Sequence, residues 1–540
     1  MDFILLDYVI FFVYIAVIVG AGLWVSQEEE GHEKDSADYF LASKALPFWA
    51  IGASLIASNI SAEQFIGMSG SGFRVGLAIA SYEWMAAVCL LVIAWFFLPI
   101  YLEKEIFTMP QFLEERYDHR VRTLLAVFWL LVYVFVNLTS VLYLGALAMG
   151  EIMGTPFWLG ILFLASFATA YSIYGGLKAV AWTDVIQVFV LIGGGLLTLT
   201  TWFALDAYAE SIGSNGPIAG LSGMLSDFSN RFNLILFEGE LTYTNNKGVT
   251  KDAYQLLPGL GVIIGGLWVA NLFYWGCNQY IIQRALAAKD LKEAQRGLAF
   301  AGYLKLLLPM VVVVPGIVAY ALDPASINVA DDAYPWLLGQ YLGPGVRGLA
   351  FAALVAAIVS SLASMMNSTA TIFTMDLYKT SSYGEDASEG NLVTMGRVVS
   401  FICIVIACLM APQLAALDQV FQYIQEYTGF VSPGVLAVFM MGLFWKKSTP
   451  NAALASAVLS IPFSAGMKFL APDVPFLRRM LIVFFLSVAL IVVISLLEGK
   501  GKDHPRAVDI SNVSMVGDPV YNVAAFGILG ITAALYAMFW

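Results

Sequence analysis

The polar residues of this chain come in bunches, separated by apolar runs of about 20 residues, the length that crosses roughly 30 Å of hydrocarbon as a helix. Such runs begin near Leu5, Leu46, Val75, Val121, Phe157, Ala179, Leu257, Gly297, Gly345, Leu392, Ala416, Ala452, Phe476 and Val523. They predict an all-α polytopic membrane protein with about 14 transmembrane helices. The first run follows MDFILLDY, which has neither a basic n-region nor a small-residue cleavage site, so a retained helix is expected rather than a signal peptide.

One run does not suit lipid. The second contains SNISAEQFIGMSGSG (58–72), with Asn59, Glu63 and Gln64 where apolar helix is expected. A helix interrupted in lipid frees carbonyls and N–H groups that only protein, ion or water can satisfy. Carbonyls freed around Ala57 to Ile60 suit a hard cation such as sodium. The alternative is that Ser58, Asn59 and Ser61 hydrogen-bond across a helix interface of small residues. Five runs later, the seventh contains GVIIGGLWVANLFYWGCNQY, again polar and interrupted by glycine at Gly265 and Gly266. An odd offset reverses helix direction, as an inverted repeat requires. This predicts repeats at 46–206 and 257–445, each of five helices with a broken first helix. Residues 1–45 form a first peripheral helix and loop, 207–256 an extracellular insert with short helices, and 446–540 three further peripheral helices.

Composition strengthens the membrane reading. The 540 residues are 60% hydrophobic and only 12% charged, which no ordinary soluble domain matches. A formal charge of −12 argues against nucleic acid as a partner. Eighteen of the 27 basic residues, among them Lys34, Lys44, Arg116, Arg284, Arg296, Lys446 and Lys447, fall at one face under the fourteen-helix scheme. By the positive-inside rule that face is cytoplasmic, which puts both termini outside and the protein in a plasma (inner) membrane. Arg478 and Arg479 run against the trend. The 4 Cys fall in apolar runs without CxxC spacing, and the 3 His lie far apart, so neither a disulfide framework nor a zinc site is expected.

Chemistry is expected inside the membrane. On the ninth run Ala357, Ser360, Ser361 and Ser364 share one helical face, an oxygen-rich stripe for a monovalent cation or simple packing of small residues. Charged and amide side chains deep in a span are costly and functional by default. Glu83, Lys305, Asn271 and Gln425 are of this kind, with Tyr82, Tyr274 and Phe421 near them in sequence or register. Carboxylate, ammonium, amide and aromatic groups together suit a polyhydroxyl ligand, whose hydroxyls both donate and accept. The alternative for Glu83 and Lys305 is a structural ion pair, and for Tyr274 and Phe421 ordinary packing. Asp184 is read near the cytoplasmic end of its span, helping to release a cation or capping the helix. With no nucleophile–base pair, an enzyme is not expected.

These residues resemble the sodium:solute symporter family along nearly the whole chain. The likeness rests on SLIASNISAEQFIGMSGSG, LAIASYEWM, YSIYGGLKAVAWTDVIQV, GGLWVANLFYWGCNQYIIQRALAAK, AAIVSSLASMMNSTATIFTMDLY and FQYIQEYTGFVSPG, taken in order. It implies a LeuT-type core working by alternating access, and sodium-coupled uptake of a monosaccharide, galactose or glucose. Sugar contacts would be Gln64, Glu83, Asn271, Lys305 and Gln425. Tyr274 would stack under the sugar as inner gate, and Met68, Tyr82 and Phe421 would close the outer side. The resemblance assigns sodium to the carbonyls of Ala57, Ile60 and Ala357 and the hydroxyls of Ser360 and Ser361, with Asp184 on the ion's exit route. Ala86 stands where a sugar-contacting serine is expected, and Ala363 where a second sodium site would place a hydroxyl, so one sodium per sugar is favoured. Partners are then sodium, the sugar and the bilayer, with no obligate protein partner. A symporter of another small solute, or a transporter-like nutrient sensor, is the alternative.

Overall fold

The computed structural model describes residues 3–25, 46–106, 108–188, 196–245, 248–416, 420–511 and 513–540. Lys34 and Lys44 fall outside them. In chain order the principal helices are α1 (Leu5–Val25), α2 (Phe48–Asn59), α3 (Ser69–Val75), α4 (Ser81–Val92), α5 (His119–Val132), α6 (Thr139–Met153), α7 (Phe157–Val188) and α8 (Leu196–Ser211). After the insert come α9 (Leu267–Gly276), α10 (Gln279–Leu286), α11 (Leu291–Val312), α12 (Val346–Thr371), α13 (Glu389–Met410), α14 (Val420–Phe444), α15 (Pro450–Leu470), α16 (Phe476–Gly499) and α17 (Pro519–Met538).

Among the described residues, nine helical stretches are long and apolar enough to cross a membrane, and four more are shorter apolar helices. The expected fourteen do not map one to one, for two reasons. Interruptions shorten spans: α2 has 12 residues and α9 has 10. Conversely, helical structure runs through expected turns, as from Phe157 to Val188, which spans the predicted junction between the fifth and sixth helices.

The first interruption lies where the polar motif places it. Ile60 takes extended backbone (φ −73°, ψ 98°), ending α2 at Asn59, and a π-helical turn, Glu63–Met68, leads on into α3. The restart is capped from its own sequence. Gln64 Oε1 accepts from the Ser61 N–H at 3.1 Å and its hydroxyl at 3.2 Å, one half of the reciprocal S-x-x-Q capping box. Gly76 ends α3 at φ 69°; a Cβ there would also lie 2.1 Å from the Arg231 carbonyl of the insert. The seventh span is interrupted twice. Gly265 leaves helical geometry (φ −114°, ψ −124°), as expected of the glycine pair, but the chain also breaks between α9 and α10, where Asn278 is extended (φ −88°, ψ 119°).

Helix α12 sits at the centre of the bundle: its most apolar window is 94% buried, against 22% for α15 and 28% for α16 and α17, which face lipid. Small residues let α2 and α11 meet backbone to backbone; a Cβ on Gly52 would reach 2.7 Å from the Gly297 carbonyl. The insert holds a helix, Pro217–Asp227, and an antiparallel hairpin pairing Thr242–Thr244 with Thr250–Asp252. The end of α17 meets the insert, and the start of α1 meets the start of α12. Asp7 accepts from the N–H groups of Gly345 and Gly348 and from Arg347, while the Leu234 N–H donates to the Phe539 carbonyl. Two basic residues counted with the opposite face are in fact buried. Arg116 donates to the carbonyls of Gly442 and Trp445 at 2.8 and 3.1 Å, and Arg284 is fully enclosed between α10 and α12.

Candidate ion and solute sites

At the break after α2 the freed carbonyls turn toward α12. The Ser361 hydroxyl lies 3.4 Å from the Ala57 oxygen, 3.3 Å from that of Ser58 and 3.4 Å from that of Ile60. One hydroxyl cannot donate to three acceptors at once, so the geometry gathers oxygen lone pairs in excess of the protons available. That is the donor set a hard monovalent cation requires. Ala357 is buried one turn before Ser361 on the same helix. Ser360 donates to Asp184 Oδ1, and Ser54 to Asp184 Oδ2 at 2.7 Å. Asp184 lies within the continuous helix α7, is wholly buried, and binds directly to one of the two hydroxyls.

On the other side of the same broken helix lies a cavity lined by side chains of several helices. Gln64, Glu83, Asn271, Lys305, Gln425 and Tyr274 all line it, as do Met68, Tyr82 and Phe421. Lys305 donates to both Glu83 and Asn59, and its ammonium lies 4.9 Å from the centre of the Trp275 ring. The ion pair offered as the structural alternative is thus formed, and both partners line the cavity as well. Asn59 in turn donates to the Tyr274 hydroxyl at 3.0 Å, which is also bonded to Tyr280. Tyr82 and Phe421 meet edge to face on the cavity wall, ring centres 5.5 Å apart.

The cavity wall carries unspent polarity. Tyr82 OH, Asn271 Nδ2, Glu63 Oε1, Asn137 Oδ1, Thr428 Oγ1 and Ser432 Oγ are buried with no protein hydrogen-bond partner, a mixture of donors and acceptors matched to a ligand rich in hydroxyls. Ala86 lines the same wall and offers it no hydrogen bond. Sequence reasoning did not single out Asn137, Trp275, Thr428 or Ser432. Of these only Asn137, an amide in the middle of an apolar run, carried a signal that could have found it. Nor did it foresee that Asn278 and Tyr133 bond to each other across the second break.

The family model for sodium:solute symporters matches residues 39–460. The sodium/glucose cotransporter of Vibrio parahaemolyticus is 51% identical over 99% of this chain and 98% of its own length. The sodium/myo-inositol cotransporter 2 of Bos taurus is 34% identical, covering 84% of this chain and 68% of its own. Among solved structures, a substrate-bound, outward-open Na+-coupled sialic acid symporter superposes with a TM-score of 0.77 at 21% identity, over 92% of this chain and 98% of that one. Mhp1, a nucleobase-cation-symport-1 family transporter, reaches 0.54 at 13% identity, over 92% and 99%; these likenesses speak for the fold.

Proposed function

We propose, from the premise that this chain belongs to the sodium:solute symporter family, that it is a secondary active transporter driving uptake of a monosaccharide, glucose or galactose, with sodium. The observation that carries the reading is the shared broken helix. The carbonyls of Ala57 and Ile60 face Ser361 on one side, and Gln64 and Met68 line the solute cavity on the other. An ion that organises the first surface also fixes the second, which is what coupling requires. Sodium is held by Ala57, Ile60, Ala357, Ser360 and Ser361 and leaves past Asp184. The sugar is held by Gln64, Glu83, Asn271, Lys305 and Gln425 above Tyr274. The relative from Vibrio parahaemolyticus, with glucose in its name, and the polyol-matched lining support the choice of a neutral sugar over an anion. Ala363, buried on α12 without a hydroxyl, supports one sodium per sugar.

One sodium suffices. About 100 mV supplies roughly 2.3 kcal/mol per charge, and a tenfold sodium gradient adds about 1.4 kcal/mol, enough together for a sugar ratio of several hundredfold. Alternating access works on two inverted repeats, 46–206 and 257–445, with the insert face outside and both termini extracytoplasmic in a plasma membrane. Uptake of labelled glucose and galactose into proteoliposomes, with sodium or potassium outside, tests the function. Sodium-stimulated, voltage-sensitive uptake is expected, and equal uptake in the two salts overturns it.

A further inference from the structure

A buried arginine beside a cation site calls for an explanation, because a fixed positive charge there opposes the ion. Arg284 is 0% exposed. Its fork reaches in two directions: Nη1 donates to the Tyr280 carbonyl within α10, and Nη2 to the Ser364 hydroxyl of α12 at 2.5 Å. Ser364 lies one turn beyond Ser360 and Ser361 on the serine stripe, with its oxygen 3.5 Å from that of Ser58 in α2. Tyr280, the other anchor, is bonded through its hydroxyl to Tyr274. One side chain therefore joins α12, which carries the candidate cation ligands, to α10, whose Tyr280 is bonded across the second break to Tyr274 of α9. A second cross-link, Ser368 to Gln283 at 2.8 Å, keeps the same two helices together independently. Asp184 interacts electrostatically with Arg284 and accepts from Ser360.

We propose that Arg284 is the positioning residue linking cation occupancy to the inner gate. Its charge shares Asp184 with the sodium ion and so holds sodium affinity down. Its planar fork keeps Tyr280, and through it Tyr274, in place while α12 is in the ion-bound arrangement. Both effects favour release to the inside: a weaker ion departs more readily, and a gate tied to α12 opens only when α12 moves. The inference rests on the sodium-coupled reading above.

The test compares full-length wild type, Arg284→Gln, Arg284→Lys and Ser364→Ala in proteoliposomes, measuring the sodium concentration for half-maximal sugar uptake, the maximal rate, and sugar counterflow without sodium. Removing a unit charge about one helical turn from the ion at an effective dielectric constant near 20 is expected to lower the half-maximal sodium concentration roughly tenfold or more in Arg284→Gln. Its maximal rate should fall as release slows, and its sodium-free counterflow should rise. Arg284→Lys keeps the charge without the fork, so sodium dependence should return toward wild type while counterflow stays raised. Ser364→Ala should raise counterflow too. An unchanged half-maximal sodium concentration in Arg284→Gln overturns the charge role, and wild-type counterflow in both Arg284→Lys and Ser364→Ala overturns the fork role. If Arg284→Gln does not assemble, as judged by size exclusion in detergent, Arg284→Lys and Ser364→Ala decide the matter by counterflow. Wild type without sodium stimulation would refute the transport reading itself, whereas sodium-driven variants indistinguishable from wild type refute only this inference.

Discussion

The Lys305–Glu83 pair invites an experiment that separates architecture from recognition. Lys305→Met leaves Glu83, whose side chain is 5% exposed, as a buried carboxylate without its cation, and takes one partner from Asn59 as well. Breaking a buried pair from one side costs about 3 to 5 kcal/mol, a large share of the net stability of any fold. Glu83→Gln strands the ammonium in the same way, although Asn59 and the Trp275 ring remain beside it, so its loss should be the smaller. In the double variant Glu83→Gln/Lys305→Met neither charge remains, and most of the stability should return. Transport should not return, because the donors and acceptors that face the sugar are gone. Thermal unfolding in detergent, read beside sodium-driven uptake for all four proteins, completes a double-mutant cycle. Recovery of both stability and uptake in the double variant would refute the reasoning, since the pair would then be structural and the sugar indifferent to it.

Ser361→Ala removes the hydroxyl on which three carbonyls converge. A hydrogen bond or ligand contact to a charged group is worth about 1.5 to 3 kcal/mol, so half-maximal sodium should rise tenfold or more, with sugar binding preserved at saturating sodium; normal uptake at low sodium would displace the cation site. Ala86→Ser adds a hydroxyl to the cavity wall, and a net gain of about 0.5 to 1.5 kcal/mol should tighten one sugar epimer over another in a competition panel. Phe421→Ala removes the edge-to-face partner of Tyr82, worth about 0.5 to 1.5 kcal/mol beyond burial, and should raise sugar leak in counterflow. At the insert face, burial and then the nearby Glu151 raise the Asp332 carboxyl to about 7. Its protonated form is the one the fold favours, so the stability it contributes is complete below pH 4 and lost as pH rises through 7. Asp332→Asn should therefore flatten the fall in thermal stability between pH 5 and pH 8.

Much of the site was legible because lipid makes polarity conspicuous. Asn59, Gln64, Glu83, Asn271, Lys305 and Gln425 stand out in apolar runs, and helical spacing alone groups Ala357 with Ser360 and Ser361. Spacing cannot say which helices meet. That Asp184 binds Ser54 and Ser360 follows from α7 packing against α2 and α12, and no local pattern encodes that. The burial of Arg284 is hidden from sequence for a related reason. A basic residue close to the end of an apolar run counts toward orientation, and only the second break, at Asn278, turns α10 so that this residue points into the bundle. That break falls at Gly276, Cys277 and Asn278, and a single glycine inside an apolar run announces it weakly. The junction between the fifth and sixth predicted helices shows the opposite limit: a new run is expected to begin near Ala179, yet the helical backbone continues from Phe157 to Val188.

The reach of Asn59 across the chain bears on how the protein is made. Its two partners lie 215 and 246 residues downstream, at Tyr274 and Lys305. At about 5 to 20 residues per second the ribosome needs roughly 12 to 50 seconds to supply them. Throughout that interval the first broken helix has been synthesised while its amide and the nearby carboxylate of Glu83 have none of their final companions. Until α11 is made, this segment must keep its polar groups beside water or protein rather than lipid.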